Sequence, residues 1–528
     1  MFATPAFPTH DPDHGAPIHP RHLGTVLVLG GSIAGLLAAA AVAPFADRVV
    51  VVERDPLPDQ PGPRPGTPQA QQSHALLASG CAAIDELLPG ASHDLVVLGA
   101  HKGDSAAEVH TFAGGGRLTA TVAGADSLAV SRLMLEAYLR SRVRELAVVT
   151  LLDNTDVRGL RGELTMGRPR VSGAHIHDPG DQEGEDESLD ADLVVDATGS
   201  PGRAAAWFAR EGWDVPEHEA FAVGVRCATT HLARSSGDVG GRTGVLSLAT
   251  RQTPRQGLAL AQEDGAWTLT LTSYEDRPPP ADPEGFRAFG HSVDAPEIGE
   301  LLDTHEVLEP PRPYRLPHST RRRIERTTLP SGYAVIGDAL CSLDPNFRQG
   351  MSVAALQAVA LHDELAQSGA RDKRVDAYHR RAVAIVDQAW DMVVTAVHGI
   401  RGTGEGRSEK AFVSYVAAVQ HGARSDPELA RAFLRVVNML DPPQALMRPG
   451  IVVRVAGAAA HLPPTHLPSV HLPVHLPKVP LPEVHLPSPP LPEILMPVQI
   501  AARRTKARRA ARKGGRTAYK IKDQGSVS

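Results

Sequence analysis

The order of apolar and polar positions near the start of the chain predicts a strand, a helix and a second strand. The run TVLVLG (25–30) is apolar and β-branched, which favours a short buried strand. The segment SIAGLLAAAAVA (32–43) is rich in Ala and Leu, which favours a helix, and RVVVVE (48–53) is again typical of a strand. The stretch from Thr25 to Ala43 is also long enough to suggest a membrane helix, but three glycines interrupt it. We therefore predict a βαβ unit over residues 24–55.

Further apolar runs predict that the sheet continues later in the chain. The segments ADLVVDATG (191–199) and YAVIGDA (333–339) are typical of buried strands that end at a turn. Residues 131–146 and 351–367 have the apolar spacing of helices, and residues 372–440 are predicted to be mainly helical. Residues 221–275 contain alternating segments such as AWTLTLTSY, which predict an antiparallel sheet.

Composition places the chain among soluble globular proteins with more than one domain. It has 528 residues, of which 42% are hydrophobic and 22% are charged. The three cysteines match no zinc or redox spacing, and the first residues lack the apolar core of a signal peptide. We therefore expect a cytoplasmic protein and no metal site.

The two ends of the chain differ in composition from the rest. Residues 1–22 are rich in Pro and His, and His-Leu-Pro recurs through residues 457–500, so we expect disorder and a polyproline-like segment there. Residues 501–528 hold ten Lys and Arg against one acid, a charge of +9. Subtracting +9 from the net −6 leaves −15 for residues 1–500. The basic tail could contact an anionic membrane surface or a partner, or simply be a solubilising extension; no specific nucleic acid is expected.

The turn between the first strand and the first helix carries a dinucleotide fingerprint. In GGSIAG, Gly30 permits a tight turn and Gly35 permits close helix–strand packing, while the helix N-terminus can receive a pyrophosphate. Glu53 ends the second strand at the spacing expected for an acid that binds ribose hydroxyls. The middle glycine of the pattern is Ser32, which is small enough to admit a phosphate and could donate a hydrogen bond. The alternative is a buried βαβ unit without a ligand.

Several motifs occurring in one order resemble those of a known enzyme family. They are GGSIAG, VVERDPLP, PRPGTPQ, VSRLMLE, DLVVDATGSPGR and YAVIGDALCSLDPNFRQGMSVAALQA, and together they span about residues 24–450. The chain resembles the flavoprotein monooxygenases of the p-hydroxybenzoate hydroxylase type, and within them the bacterial branch of squalene-epoxidase-like enzymes and polyether epoxidases. Their joint occurrence is far more specific than any single motif.

The resemblance implies an FAD cofactor and assigns residues to it. The implied FAD-contacting residues are Gly30, Gly31, Ser32, Gly35, Glu53, Arg54, Arg64, Arg132, Asp196, Gly199, Gly337, Asp338, Pro345, Gly350 and Met351. Asp338 would bind the ribitol and Arg64 the pyrophosphate, while the helix from Met351 would direct its positive end at the flavin. Other roles remain open: a cap for Asp338 or Asp196, a solvated loop for Arg64, and a surface salt bridge for Arg132.

One residue departs from the family pattern beside the expected flavin loop. Where relatives carry a glycine before Gln-Gly, this chain has Arg348, in the order Phe347, Arg348, Gln349, Gly350. A positive φ at this position would cost free energy with arginine. If the side chain faces the substrate, it could bind an acidic group. No catalytic residue is otherwise predicted, because the cofactor would perform the chemistry.

The predicted fold is α/β, with a Rossmann-like FAD-binding domain of the glutathione-reductase type and an inserted mixed β-sheet. The FAD-binding domain is predicted over residues 23–210, with a sheet segment near 95–125, and again over 325–370. The substrate-binding sheet would occupy residues 211–324, with C-terminal helices over 371–456. Trp267 and Tyr274 could line the substrate, although core packing is the more common role for such residues.

The resemblance implies a monooxygenase that uses NAD(P)H and O₂ to hydroxylate or epoxidise a lipophilic small molecule, in secondary metabolism. Two alternatives remain: a flavin-dependent reductase or dehydrogenase of the geranylgeranyl reductase type, and a non-catalytic binding module derived from a flavoprotein. The protein is expected in the cytoplasm, and its basic tail could place it at the membrane periphery.

Overall fold

The computed structural model describes residue 7 and residues 22–165, 167–180, 186–199, 203–404 and 406–459. The His-Leu-Pro repeats and the basic tail lie outside these residues, and so do residues 1–21 apart from Phe7. The strands of the described residues are β1 (Leu23–Leu29), β2 (Ala46–Val52), β3 (Ala75–Leu76), β4 (His101–Asp104), β5 (Val109–Ala113), β6 (Gly116–Arg117), β7 (Asp126–Ala129), β8 (Val149–Leu152), β9 (Asp156–Thr165), β10 (Arg168–His177), β11 (Glu187–Asp190), β12 (Leu193–Asp196), β13 (His218–Ala233), β14 (Gly244–Ser247), β15 (Arg255–Ala261), β16 (Ala266–Ser273), β17 (Arg312–Arg322), β18 (Tyr333–Val335) and β19 (Cys341–Ser342).

The α-helices lie between and after these strands. They are α1 (Ile33–Val42), α2 (Ala78–Leu87), α3 (Ala91–Val97), α4 (Ser105–Glu108), α5 (Arg132–Arg144), α6 (Arg203–Arg210), α7 (Pro283–Gly290), α8 (Pro296–Thr304), α9 (Gly350–Ala366), α10 (Arg371–Arg401), α11 (Gly406–Gly422), α12 (Pro427–Val437) and α13 (Pro449–Ala459).

A five-stranded parallel sheet forms the centre of the α/β part, in the order β18-β12-β1-β2-β8. In the strand register Leu29 pairs with both Val52 and Asp196, and Asp196 pairs with Val335. The carboxyl ends of four strands therefore meet at one edge. The chain leaves β1 toward β2 on one side, and β12 lies on the other, so this edge contains a topological switch point, where open α/β sheets bind ligands.

The predicted βαβ unit is confirmed, and its apolar residues are the ones that are buried. β1, α1 and β2 form from the predicted runs, and nine of the ten α1 residues are buried because neighbouring helices cover this helix on the sheet. The predicted strand 333–339 is shorter than expected. It stops at Val335, and a 3₁₀ turn follows at Gly337–Ala339, where Gly337 has a φ of 64°.

An eight-stranded mixed sheet, in the order β19-β17-β13-β16-β15-β14-β5-β6, forms the second layer. Its pairs are antiparallel except that β14 runs parallel to β5, which brings in the segment predicted near residues 95–125. Trp267 is fully buried and donates from Nε1 to Asp238 at 2.9 Å, and Tyr274 is also buried. Both aromatic residues therefore pack in the core.

Helices α10 to α13 occupy the region after residue 370, where residues 372–440 were predicted to be mainly helical. The 31-residue helix α10 is long and apolar enough to cross a membrane by length and composition. It also buries eight side chains along one side, among them Tyr378, Trp390 and Val397, and Tyr378 donates to the Val335 carbonyl at 2.7 Å. This pattern is typical of a core helix. The last described helix, α13, continues to Ala459.

Candidate FAD site

The glycines of the first turn are required by close backbone contacts. A Cβ atom on Gly35 would lie 1.8 Å from the Gly30 carbonyl oxygen, and one on Gly30 would lie 2.4 Å from the Ala197 carbonyl oxygen. Gly30 also has a φ of 109°, a conformation that other residues rarely adopt. In the turn after β18, a Cβ on Gly337 would lie 2.6 Å from the Ala34 Cβ. The turn after β1 therefore packs closely against the turn after β12, and the turn after β18 packs against the first turn of α1.

Two side chains from α5 reach the N-terminus of α1. Ser32 is the N-cap residue of α1, and its hydroxyl donates to Glu136 Oε2 at 2.7 Å while accepting from Arg132 Nη2 at 3.2 Å. The Arg132 Nε is buried and has no hydrogen-bond partner among the described residues. Arg132 forms no ion pair within the described part of the chain, so the alternative of a surface salt bridge is not supported. A cation beside free helix N–H groups is suited to a phosphate.

Arg64 lies in a buried network of charges. Its side chain is 2% exposed, and it contacts Glu136 at 2.7 Å, Asp55 at 3.0 Å and Glu53 at 3.3 Å. Burial alone would lower the pKa of Arg64, but the carboxylates, Glu136 first, raise it overall. The alternative of a solvated loop is therefore wrong. One guanidinium nitrogen, Nη2, is buried without a partner in the described residues, which leaves a donor for an anionic ligand.

The Glu53 carboxylate accepts hydrogen bonds from two backbone N–H groups. Its Oε2 accepts from the Gly31 N–H at 2.7 Å and its Oε1 from the Asp55 N–H at 3.0 Å. These bonds fix the turn after β2 against the glycine-rich turn after β1. Its proposed contact with a ribose stays a prediction. Arg54 points outward, since 53% of its side chain is exposed.

Asp338 follows β18 at the sheet edge where the parallel strands end, a region called the cleft from here on. Its carboxylate has no hydrogen bond among the described groups. Solvent reaches the residue, yet the protein atoms packed around the carboxyl raise its pKa above the usual range, and the nearby Arg132 guanidinium partly offsets this shift. His74 lies beside the same guanidinium. Burial first, and Arg132 second, lower the pKa of His74 to about 3, so the ring is neutral at neutral pH. Its Nδ1 donates to the Gln72 carbonyl at 2.7 Å, which leaves Nε2 as an acceptor.

Asp196 is fully buried and bonded to the protein on every side. It accepts from Tyr333 Oη at 2.7 Å and Thr198 Oγ1 at 2.6 Å, and Arg322 Nη1 lies 3.4 Å away. These contacts match the alternative role of a strand cap. Gly199 follows with a φ of 75° and borders residues 200–202, which lie outside the described part.

The loop between β19 and α9 is held by Asp344. This buried carboxylate accepts from the Asn346 N–H at 2.9 Å and from Tyr274 Oη at 3.1 Å. Burial raises the pKa of Asp344 to about 6, against the lowering effect of these hydrogen bonds. Pro345 begins the 3₁₀ turn Pro345–Phe347, and α9 then starts at Gly350.

The first residue of α9 has free space around it, and the second is buried. A Cβ on Gly350 would meet nothing within 4 Å, whereas Met351 is buried. The helix has no side-chain cap on its first N–H groups. Gln357, about two turns further along the helix, accepts from the Gly337 N–H at 2.8 Å and so ties the turn after β18 to α9.

Arg348 follows this loop and lines a pocket that is partly open to solvent. Its φ is 56°, so the positive φ considered from the sequence is present with an arginine in place of glycine. The pocket lies between the mixed sheet, the small sheet β3-β7-β4 and α12. Its apolar wall includes Leu77, Leu246, Leu258, Leu260, Leu434 and Val437.

Three residues of the cleft were not identified from the sequence. Glu136, Asp55 and Asp344 all lie inside the motifs VSRLMLE, VVERDPLP and YAVIGDALCSLDP, but no local pattern shows that a carboxylate will be buried. The spacing of Arg132, Glu136 and Arg140, each four residues apart on one helix face, was the available signal.

The residues of the cleft fit an FAD molecule. The glycine cradle leaves no room for side chains, the N-terminus of α1 faces it, and Arg132 and Arg64 each keep a buried donor without a partner. A pyrophosphate supplies the acceptors that these donors lack. The Asp338 carboxylate, which no described group satisfies, suits a sugar hydroxyl.

Comparisons with known proteins agree with this fold. No family model matches the chain. Protein Rv3254 of Mycobacterium tuberculosis is 31% identical over 450 residues, which cover 82% of this chain and 93% of Rv3254. The probable FAD-dependent monooxygenase pqsL of Pseudomonas aeruginosa superposes with a TM-score of 0.55 at 17% identity, covering 74% of this chain and 98% of its own. The p-nitrophenol 4-monooxygenase PnpA of Pseudomonas putida DLL-E4 also gives 0.55 at 17% identity, covering 79% and 99%. The chain has the fold of these monooxygenases and belongs to the same protein family as Rv3254 of Mycobacterium tuberculosis.

Proposed function

We propose that this protein is an FAD-dependent monooxygenase that uses NAD(P)H and O₂ to hydroxylate or epoxidise a lipophilic small molecule. The observation that supports the proposal most is the convergence of the glycine cradle, Arg132 and Asp338 at one sheet edge, beside a leucine-lined pocket. The overall reaction consumes one substrate, O₂, NAD(P)H and a proton, and forms the oxygenated product, water and NAD(P)⁺.

The chain's own residues would bind and orient the reactants. Arg132 and the α1 N-terminus would hold the pyrophosphate, Asp338 the ribitol, and the loop from Pro345 to Gly350 the ring system. FAD, when bound, supplies the two-electron chemistry. The leucines of the pocket would bind the apolar part of the substrate and exclude water from it, which would limit unproductive side reactions when FAD is bound.

We predict that the purified protein is yellow and contains one noncovalent FAD per chain. The absorbance spectrum of released flavin measures the ratio. With ¹⁸O₂ and a turned-over substrate, one labelled oxygen should enter the product while NAD(P)H is consumed. A protein that remains colourless after reconstitution with FAD would contradict the proposal.

We predict that Asp338→Ala weakens FAD binding more than Asp196→Ala does. Asp338 would lose a charge-assisted bond to a ribitol hydroxyl, worth about 1.5–3 kcal/mol, so the Kd should rise about 10- to 150-fold. Asp196→Ala removes the partner of buried Arg322 and should lower stability instead, with little change in the FAD Kd of the folded fraction. Fluorescence titration of apo-protein measures both constants. Equal increases in the two variants would exclude the Asp338 assignment.

Two other functions are distinguished by the oxygen experiment. A reductase of the geranylgeranyl reductase type would oxidise NAD(P)H with substrate in the absence of O₂. A binding module would consume neither NAD(P)H nor O₂. The same proposal includes membership of the squalene-epoxidase-like branch, a role in secondary metabolism and a cytoplasmic location. It also includes a contact of the basic tail with a membrane or a partner. Co-sedimentation of the full chain with anionic vesicles would measure whether the basic tail binds a membrane surface.

A further inference from the structure

We propose that Arg348 binds the carboxylate of a lipophilic acid whose apolar body occupies the pocket between the mixed sheet and α12. The inference rests on the proposed function, because it names the substrate class of that site. It depends on three observations at one residue: a strained backbone, a cation without a partner, and a leucine-lined pocket in front of it.

The backbone at Arg348 is unfavourable for an arginine. Its φ of 56° and ψ of 19° lie in the left-handed region, where a Cβ atom is strained and glycine is preferred. The N–H of Arg348 donates to the Pro345 carbonyl at 2.9 Å, so the turn itself requires this conformation. Glycine would form the same turn without strain. Strain of this kind concentrates at functional sites, where the side chain offers something in return.

The guanidinium of Arg348 has no counter-charge in the described part of the chain. Burial lowers its pKa to about 10, and no carboxylate acts against that shift. The group is still cationic at neutral pH. Three buried arginines are each paired with a carboxylate: Arg64 with Glu136, Arg321 with Asp387 and Arg322 with Asp196. A half-buried cation without a partner is costly, and an anionic ligand would remove that cost.

The pocket around Arg348 determines what else the ligand must carry. Leu246, Leu258 and Leu260 from the sheet and Leu434 from α12 form an apolar wall. Glu108 is the acidic residue of the lining. It pairs with Arg242 at 3.6 Å, and both side chains are more than a third exposed. Glu108 does not act on the charge of Arg348. A ligand with an apolar chain and one anionic group satisfies both the wall and the cation.

The test compares decanoate with 1-decanol, which share a chain length and differ in charge. Titration calorimetry on the FAD-loaded protein needs no turnover, and the absorbance of the same sample records flavin occupancy, so failure of the flavin proposal is seen separately. Decanoate should bind about 10- to 100-fold more tightly than 1-decanol. In Arg348→Met, the decanoate Kd should rise to that of the alcohol, while 1-decanol binding stays the same.

Two further variants control for folding. Arg348→Gly removes the charge and relieves the positive φ, so it should melt at or above the wild-type temperature and still lose the preference for decanoate. Arg431→Met removes an arginine of α12 whose ion pair with Glu428 is exposed, and it should leave both affinities unchanged. Equal affinity of the two probes, an unchanged decanoate Kd in Arg348→Met, or no binding of decanoate to the wild type overturns the proposal.

Discussion

Replacing Gly35 with alanine should yield protein that lacks FAD and is destabilised by about 4 kcal/mol or more. The new Cβ would lie 1.8 Å from the Gly30 carbonyl oxygen, and this neighbour is backbone that cannot rotate away. Relief requires α1 to move off β1, which also displaces the helix N-terminus from the position of the pyrophosphate. Thermal melting and the flavin absorbance of the purified variant measure the two effects.

A matched control is Gly450→Ala, in helix α13. There an added Cβ meets nothing within 4 Å, and alanine is the better helix former by up to about 1 kcal/mol. This variant should keep its flavin and melt at or slightly above the wild-type temperature. If Gly35→Ala behaved like Gly450→Ala, the close approach of α1 to the first turn would not exist in solution.

Replacing Arg64 with methionine should lower the free energy of unfolding by about 3–5 kcal/mol. The change leaves Glu53, Asp55 and Glu136 close together with their shared buried cation removed. It also frees the turn after β2 from α5, so FAD affinity should fall as well. Denaturant unfolding monitored by circular dichroism measures the stability.

A second substitution separates charge from packing at this site. Adding Glu136→Gln to Arg64→Met should recover part of the lost stability, because one uncompensated charge is removed. Arg144→Met, on the same helix, breaks the exposed Arg144–Asp59 pair and should cost less than about 1 kcal/mol. A loss in Arg64→Met as small as that in Arg144→Met would show that the network contributes little.

The sequence predicted the parts of the fold whose signal is local. The first βαβ unit, the strands near residues 194 and 334, helices α5 and α9 and the mixed sheet all follow from apolar runs, alternation and turn residues. The glycine turn was predictable for the same reason at Gly31 and Gly35, whose contacts lie within one βαβ unit, whereas Gly30 is required by the Ala197 carbonyl of a distant strand end. Arg348 was also identified, because its departure from a motif is visible in the letters alone.

Tertiary structure decided how the charges of the cleft are shared. Arg64 and Arg132 look equivalent in sequence, but only packing showed that Arg64 has three carboxylate partners while Arg132 has none. Asp196 and Asp338 both follow buried strands, yet Asp196 is enclosed by Tyr333 and Arg322 whereas Asp338 is open to the cleft. Burial and ion pairing depend on residues more than 70 positions apart, such as Arg64 and Glu136, and no local pattern records such distances. The sequence by itself therefore determined the fold and the position of the site, and the tertiary structure decided which of its side chains remain available to a ligand.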